Sequence, residues 1–181
     1  MNNTLLIKFS FFLLMTVSCS KETIEKPNIV LIVADDLGWS DLSYMGSTYY
    51  ETPNIDKLSK SGMIFYNGYA SAANCAPSRA TMLSGKYQNA HGIYSVVNPF
   101  LGYGSDRGNR KTRKLIPIKT KSNLNLDFFV IPEMLKDLGY VNGHFGKWHL
   151  GDIGFHPENS GFDVNIGGNK HGGPGGYFSP Y

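Results

Sequence analysis

Seven residues, Asn28-Ile29-Val30-Leu31-Ile32-Val33-Ala34, constrain the fold of this chain more than any other stretch. The run is apolar and β-branched, without the polar alternation that marks a strand with one face in water. It predicts a central parallel strand covered on both faces, and hence a layered α/β architecture. Asp35, Asp36, Leu37, Gly38 and Trp39 follow directly. Two adjacent acids cannot point the same way from a regular strand, so the strand is expected to end at about Ala34. Both carboxylates then fall in the crevice beyond its carboxyl end, the usual ligand site of open α/β sheets. Paired acids there suit a hard divalent cation, calcium before magnesium; they also suit a solvated turn or a helix cap.

The second informative stretch runs from Asn74 to Tyr87, Asn-Cys-Ala-Pro-Ser-Arg-Ala-Thr-Met-Leu-Ser-Gly-Lys-Tyr. It predicts a short helix with Pro77 at its first position and Gly85 just past its end. Cys75 then stands at the mouth of the helix, where backbone amides point outward. Arg79 lies four residues on, one turn along the same face, so its guanidinium reaches back towards whatever Cys75 holds. A helix N-terminus with an arginine fork is an oxyanion site. Taken alone, Cys75 is either a thiolate nucleophile activated by that environment or a small buried residue at a helix start.

A third stretch, Tyr140 to Phe145, reads as a strand leading into Gly146-Lys147-Trp148-His149-Leu150-Gly151. On an extended backbone Lys147 and His149 share a face and Trp148 takes the other.

These segments carry a resemblance. Cys75-Ala76-Pro77-Ser78-Arg79, followed by Thr81, Leu83 and Ser84-Gly85-Lys86, resembles the signature of the type I sulfatases. The Asp-Asp-Leu-Gly-Trp and Gly-Lys-Trp-His-Leu-Gly runs resemble two further sulfatase motifs, in family order. The resemblance covers about Pro27 to Tyr181. It implies an α/β fold of the alkaline-phosphatase-like kind, a sandwich with a largely parallel central sheet, here incomplete because the chain looks like the N-terminal part of a longer sulfatase. It also implies that Cys75 is converted to formylglycine by a maturation enzyme, and that Asp35, Asp36 and an oxygen on the modified Cys75 bind the metal. Hydrolysis of a sulfate ester would follow: the hydrate attacks sulfur, Arg79 and Lys147 offset charge on the sulfuryl oxygens and the hydrate, and His149 helps expel sulfate in the second step. The chemistry of the donors agrees with this. A hard cation held by carboxylates is a poor partner for a soft thiolate, whereas a hydrated aldehyde offers oxygen.

The family's second half supplies an Asp-Asn metal pair, a further histidine and a further lysine, none of which can be assigned here. Two other readings therefore stay open: a sulfatase-like surface lipoprotein without catalysis, and a metal-dependent phosphoesterase of the same fold. The latter would normally present Ser or Thr where Cys75 stands.

Residues 1–18 read as a secretory signal, with Lys8 ahead of the apolar run Phe9 to Val17. That run is shorter than the roughly 20 residues a permanent membrane helix needs. Ser18-Cys19 resembles the lipobox of bacterial lipoproteins, although Thr16 replaces a more usual aliphatic residue. Cys19 is read as lipidated with residues 19–26 as the tether, against an ordinary cleaved signal. An exported protein, periplasmic or anchored at the outer membrane, is expected. With Cys19 and Cys75 both modified, no disulfide remains.

Thr52 to Gly62 predicts a helix, Met63 to Tyr69 a second strand, Ile131 to Leu138 another helix stopped by Gly139, and Asp152 to Tyr181 a glycine-rich loop. His91 reads as a solvent-facing loop histidine. Gly102 to Asn125 carries Arg107, Arg110, Lys111, Arg113, Lys114, Lys119 and Lys121. This is either a charged surface loop or a cationic wall for a sulfated small molecule or glycan. A formal charge of +3 and the lack of interleaved aromatics argue against nucleic acid.

Overall fold

The computed structural model describes residues 25–96, 114, 118–174, 176 and 178; Cys19, the signal segment and most of the basic stretch lie outside them. The chain divides into two units, Met1–Ala34 and Asp35–Tyr181. In the first, the expected central strand is not formed: residues 28–34 make no strand, and Val30 and Ile32 are 80% and 83% exposed. A doubly covered strand needs a paired neighbour at each edge and a layer over each face. Among the described residues nothing pairs with this segment.

The second unit begins with two short 3-10 turns, Trp39–Asp41 and Ser43–Met45, and helix α1, Pro53–Ser61. The Ser43 and Thr52 amides each donate to the other residue's hydroxyl oxygen, at 2.9 and 2.8 Å, and the Thr52 hydroxyl donates to Asp56 Oδ1 at 2.8 Å. These bonds pin α1 to the second turn. The strand expected at Met63 to Tyr69 is absent; a turn closed by Gly68 N donating to Phe65 O interrupts it.

Helix α2, Cys75–Ser84, starts at Cys75 itself, so Pro77 occupies its third position and not the first. The substitution is harmless because the first four amides of a helix have no internal acceptor. Gly85 ends α2 at φ 63, its amide donating to Thr81 O. The short helices α3, Gln88–His91, and α4, Ile131–Asp137, both pack on α2. At α4 the Glu133 carboxylate accepts the Val130 amide at 3.1 Å, and Gly139 at φ 81 follows the helix.

Strand β1, Gly143–Phe145, is the tail of the strand expected from Tyr140, and it pairs in parallel with β2, Val164–Ile166. The stretch expected to be all loop thus contains a strand. A three-residue strand with Asn165 at its centre carries no periodic signal. Ala76, Ala80 and Leu83 of α2, with Ile93, Leu124, Val130, Trp148 and Leu150, form the buried core, flanked by Met82, Phe128 and Phe162. Among the described residues no helix is long and apolar enough to cross a membrane.

Candidate active site

Core and site share one backbone segment. Trp148 is 1% exposed and its indole N–H donates to Phe155 O at 2.8 Å, which roots the segment. Lys147 and His149 flank it on the less buried side, as alternation predicts, but the backbone is no strand: β1 ends at Phe145, Gly146 takes φ 92 and His149 φ 60. Left-handed backbone at a non-glycine residue is uncommon, and His149 is held there by its amide, which donates to Asn169 O at 2.9 Å.

Three of the sequence-predicted residues meet. The Lys147 ammonium pairs with Asp35 Oδ2, and Arg79 Nη2 stands 3.8 Å from the same oxygen. Arg79 Nη1 also donates to the Lys147 carbonyl at 2.5 Å. All three side chains are largely shielded, at 18%, 28% and 11% exposure for Lys147, Asp35 and Arg79. Two cations against one carboxylate leave a positive surplus in a partly desolvated place, which favours an incoming anion. Arg79 Nε is buried without a partner, a further donor unused by the protein.

His149 lies in the field of these groups. Burial, followed by the Lys147 and Arg79 charges, pushes its imidazole below the ordinary 6.5, with Asp35 opposing. The ring is therefore neutral at neutral pH, and its Nδ1 is buried without a hydrogen bond. Gly172 stands over it: a Cβ there would come within 2.4 Å of Cε1 and 2.7 Å of Nε2. Nothing in the sequence singles out that glycine.

Cys75 is a free, partly buried thiol at the first position of α2, one helical turn before Arg79. Asp36 is exposed, at φ 57, directly beyond Asp35. The oxygen chemistry of the two acids suits a hard cation, but the donor number does not. Among the described residues no three carboxylate, imidazole or thiol groups gather closely enough to hold a metal ion. Asp35 is moreover engaged by Lys147. The residues present therefore do not complete a metal site.

His91 departs from its reading. It is fully buried, its Nδ1 accepts the Ile93 amide at 3.0 Å, and its Nε2 lies 3.1 Å from the Thr81 hydroxyl of α2. Its role here is to join α3 to the cysteine helix.

A sequence model of the sulfatase family matches residues 27–172. The chain belongs to the sulfatase family. The N-acetylgalactosamine-6-sulfatase of Canis lupus familiaris is 36% identical over 159 residues, covering 87% of this chain and 27% of the relative. A sulfatase of Formosa agariphila is 38% identical over 165 residues, covering 85% of this chain and 28% of that one. The crystal structure of Ps i-CgsB in complex with k-i-k-neocarrahexaose superposes with TM-score 0.63 at 35% identity, over 80% of this chain and 29% of that one. The α/β fold of the alkaline-phosphatase-like kind is thus the fold of this family member and its neighbours. The chain spans about 27% of the length of the N-acetylgalactosamine-6-sulfatase.

Proposed function

We propose that this chain carries the nucleophile and the anion-binding groups of an exported sulfatase that hydrolyses sulfate esters, its substrate a sulfated glycan. One observation carries the reading: Arg79, one helical turn along the helix from Cys75, and Lys147 converge on Asp35. Formylglycine formed from Cys75 would supply the oxygen nucleophile that a thiol cannot. Arg79 and Lys147 bind the sulfuryl oxygens and offset the charge that develops on them. Asp35 holds both cations in place between turnovers. His149, kept neutral by burial and its two cationic neighbours, accepts a proton at a free ring nitrogen when the second hydroxyl acts. Asp35 and Asp36 would supply two oxygen donors to a divalent cation, calcium by preference, a set short of the six to eight oxygens calcium takes. No step here is routed through the metal. The glycan is favoured by the relatives' names, one an N-acetylgalactosamine-6-sulfatase, and by the neocarrahexaose bound to a structural neighbour. Lipidation at Cys19 would hold the protein at a bacterial envelope membrane.

The test is a peptide mass spectrum across Cys75 of protein made in its native host, with hydrolysis of 4-nitrophenyl sulfate and 4-nitrophenyl phosphate measured side by side. Formylglycine at position 75, and sulfate ester turnover lost in Lys147→Ala, are expected. An unmodified thiol, or preference for the phosphate, would refute the reading.

A further inference from the structure

A groove of about 770 Å³ is lined by residues of 119–125 and by Phe155. Its position is set by the backbone. The Lys121 amide donates to Gly92 O at 2.9 Å, and the Leu124 amide to Leu150 O at 2.8 Å. Thr120, buried, spends its hydroxyl accepting the Tyr94 amide at 2.8 Å. Leu150 follows His149 directly, so the groove wall is bonded to the segment that carries Lys147 and His149. On the other side, the Phe155 carbonyl accepts the Trp148 indole at 2.8 Å. Gly151, at φ 151, allows the two walls to close: a Cβ there would fall 2.4 Å from Phe155 Cβ and 3.4 Å from Asn123 Oδ1.

The lining has a consistent chemistry. Lys119 and Lys121 are exposed, and among the described residues neither is within ion-pair distance of a carboxylate. The acids flanking it are engaged elsewhere: Asp127 Oδ2 accepts from the Asn125 side chain at 3.2 Å, and Asp152 Oδ2 pairs with Lys170 at 2.7 Å. Asn123 and Ser122 offer an amide and a hydroxyl, and Phe155 an aromatic surface. Ammonium groups match sulfate or carboxylate anions, amide and hydroxyl groups match sugar hydroxyls, and an aromatic surface packs on the C–H face of a pyranose. A groove lacking acids and bonded to a cationic site suits a polyanion laid across both.

We propose that this groove is a second glycan subsite, which takes a sulfated sugar of the same chain as the one presented to Arg79 and Lys147. The proposal rests on the sulfated-glycan reading above. Lys119 and Lys121 pair with the sulfate, Asn123 and Ser122 hold the sugar hydroxyls, and Phe155 carries its apolar face.

Chondroitin 6-sulfate hexasaccharide and its desulfated counterpart are titrated into the full 181-residue chain, with amide NMR shifts recorded for wild type and for Lys119→Glu/Lys121→Glu. The expected result is that the sulfated probe moves the Ser122, Asn123 and Phe155 signals, that the double charge reversal weakens its binding at least tenfold, and that desulfation does the same. An unchanged Kd in the double variant would overturn the proposal, as would shifts confined to the surroundings of Asp35 and Lys147. Equal affinity for an oligonucleotide of matched charge would overturn the glycan assignment. 4-Nitrophenyl sulfate, too small to span both places, separates the two readings. Loss of its turnover with groove shifts intact refutes only the catalytic proposal; turnover with a silent groove refutes only the subsite.

Discussion

Gly172 lies against the imidazole of His149 with no room for a side chain, since the nearest ring atom would be 2.4 Å from its Cβ. Gly173, the next residue, has nothing within 4 Å of the same position. The pair is an internal control. Gly172→Ala is expected to push the ring towards water, raising the His149 titration back towards 6.5, because burial is the largest cause of its lowered value. It should also cost about 1–3 kcal/mol of stability by overpacking. Gly173→Ala should leave both unchanged. Imidazole proton NMR across pH and urea unfolding measure the two effects; identical His149 titrations in both variants would show that Gly172 does not set the ring's position. At this scale the sequence reveals candidates and hides their supports. Lys147, His149 and Arg79 stand out as cationic or titratable residues in unusual company, whereas a glycine among many glycines carries no sign that an imidazole lies over it.

Among elements, the junction of α4, β1 and β2 depends on Asn142. Its side-chain amide donates to Pro132 O in the first turn of α4 at 2.9 Å, and its backbone amide to Asp163 Oδ2 at 2.9 Å, just ahead of β2. Asn142 is 8% exposed, so truncation leaves a buried carbonyl without its donor. Asn142→Ala should therefore lower the unfolding free energy by about 1–3 kcal/mol. A urea midpoint equal to wild type would mean that water replaces the side chain at no cost. The helices were readable because their cues are local: proline early, glycine after the end, both within one or two turns. Strands need a partner. The run 28–34 is patterned as strongly as any strand, yet it pairs with nothing among the described residues, while β2, with almost no pattern, pairs because the chain brings it alongside β1.

Across the molecule, three histidines sit in places that disfavour their charged form. Burial is the first cause for His91, His144 and His149; the Lys121 charge adds to it at His91, Arg79 at His144, and Lys147 with Arg79 at His149. Each folded-state value lies below the ordinary 6.5, so the folded chain binds fewer protons than the unfolded chain as pH falls past that point. Stability should be fully present above about pH 7 and decline as pH drops through the ordinary histidine range towards the lowered folded values. The exposed carboxylates Asp152, Glu158 and Asp163, lowered by hydrogen bonds, lose their contribution only in the more acid range below their unfolded values. Thermal midpoints at pH 7.5 and 5.5 test the point: a lower midpoint at 5.5 is expected, and a level or rising one contradicts it.

The sequence by itself determined the family, the fold class, the helix carrying Cys75 and Arg79, and the residue types of the candidate site. All of these follow from short-range order, in which neighbours along the chain dictate backbone geometry and chemistry. Tertiary structure alone decided that Lys147 and Arg79 share the Asp35 carboxylate, that His91 is a buried strut, that Gly172 faces His149, and that residues 119–125 form a groove with Phe155. Those juxtapositions join positions up to 112 residues apart. Folding, not local pattern, determines which of many lysines, glycines and histidines arrive at the same place.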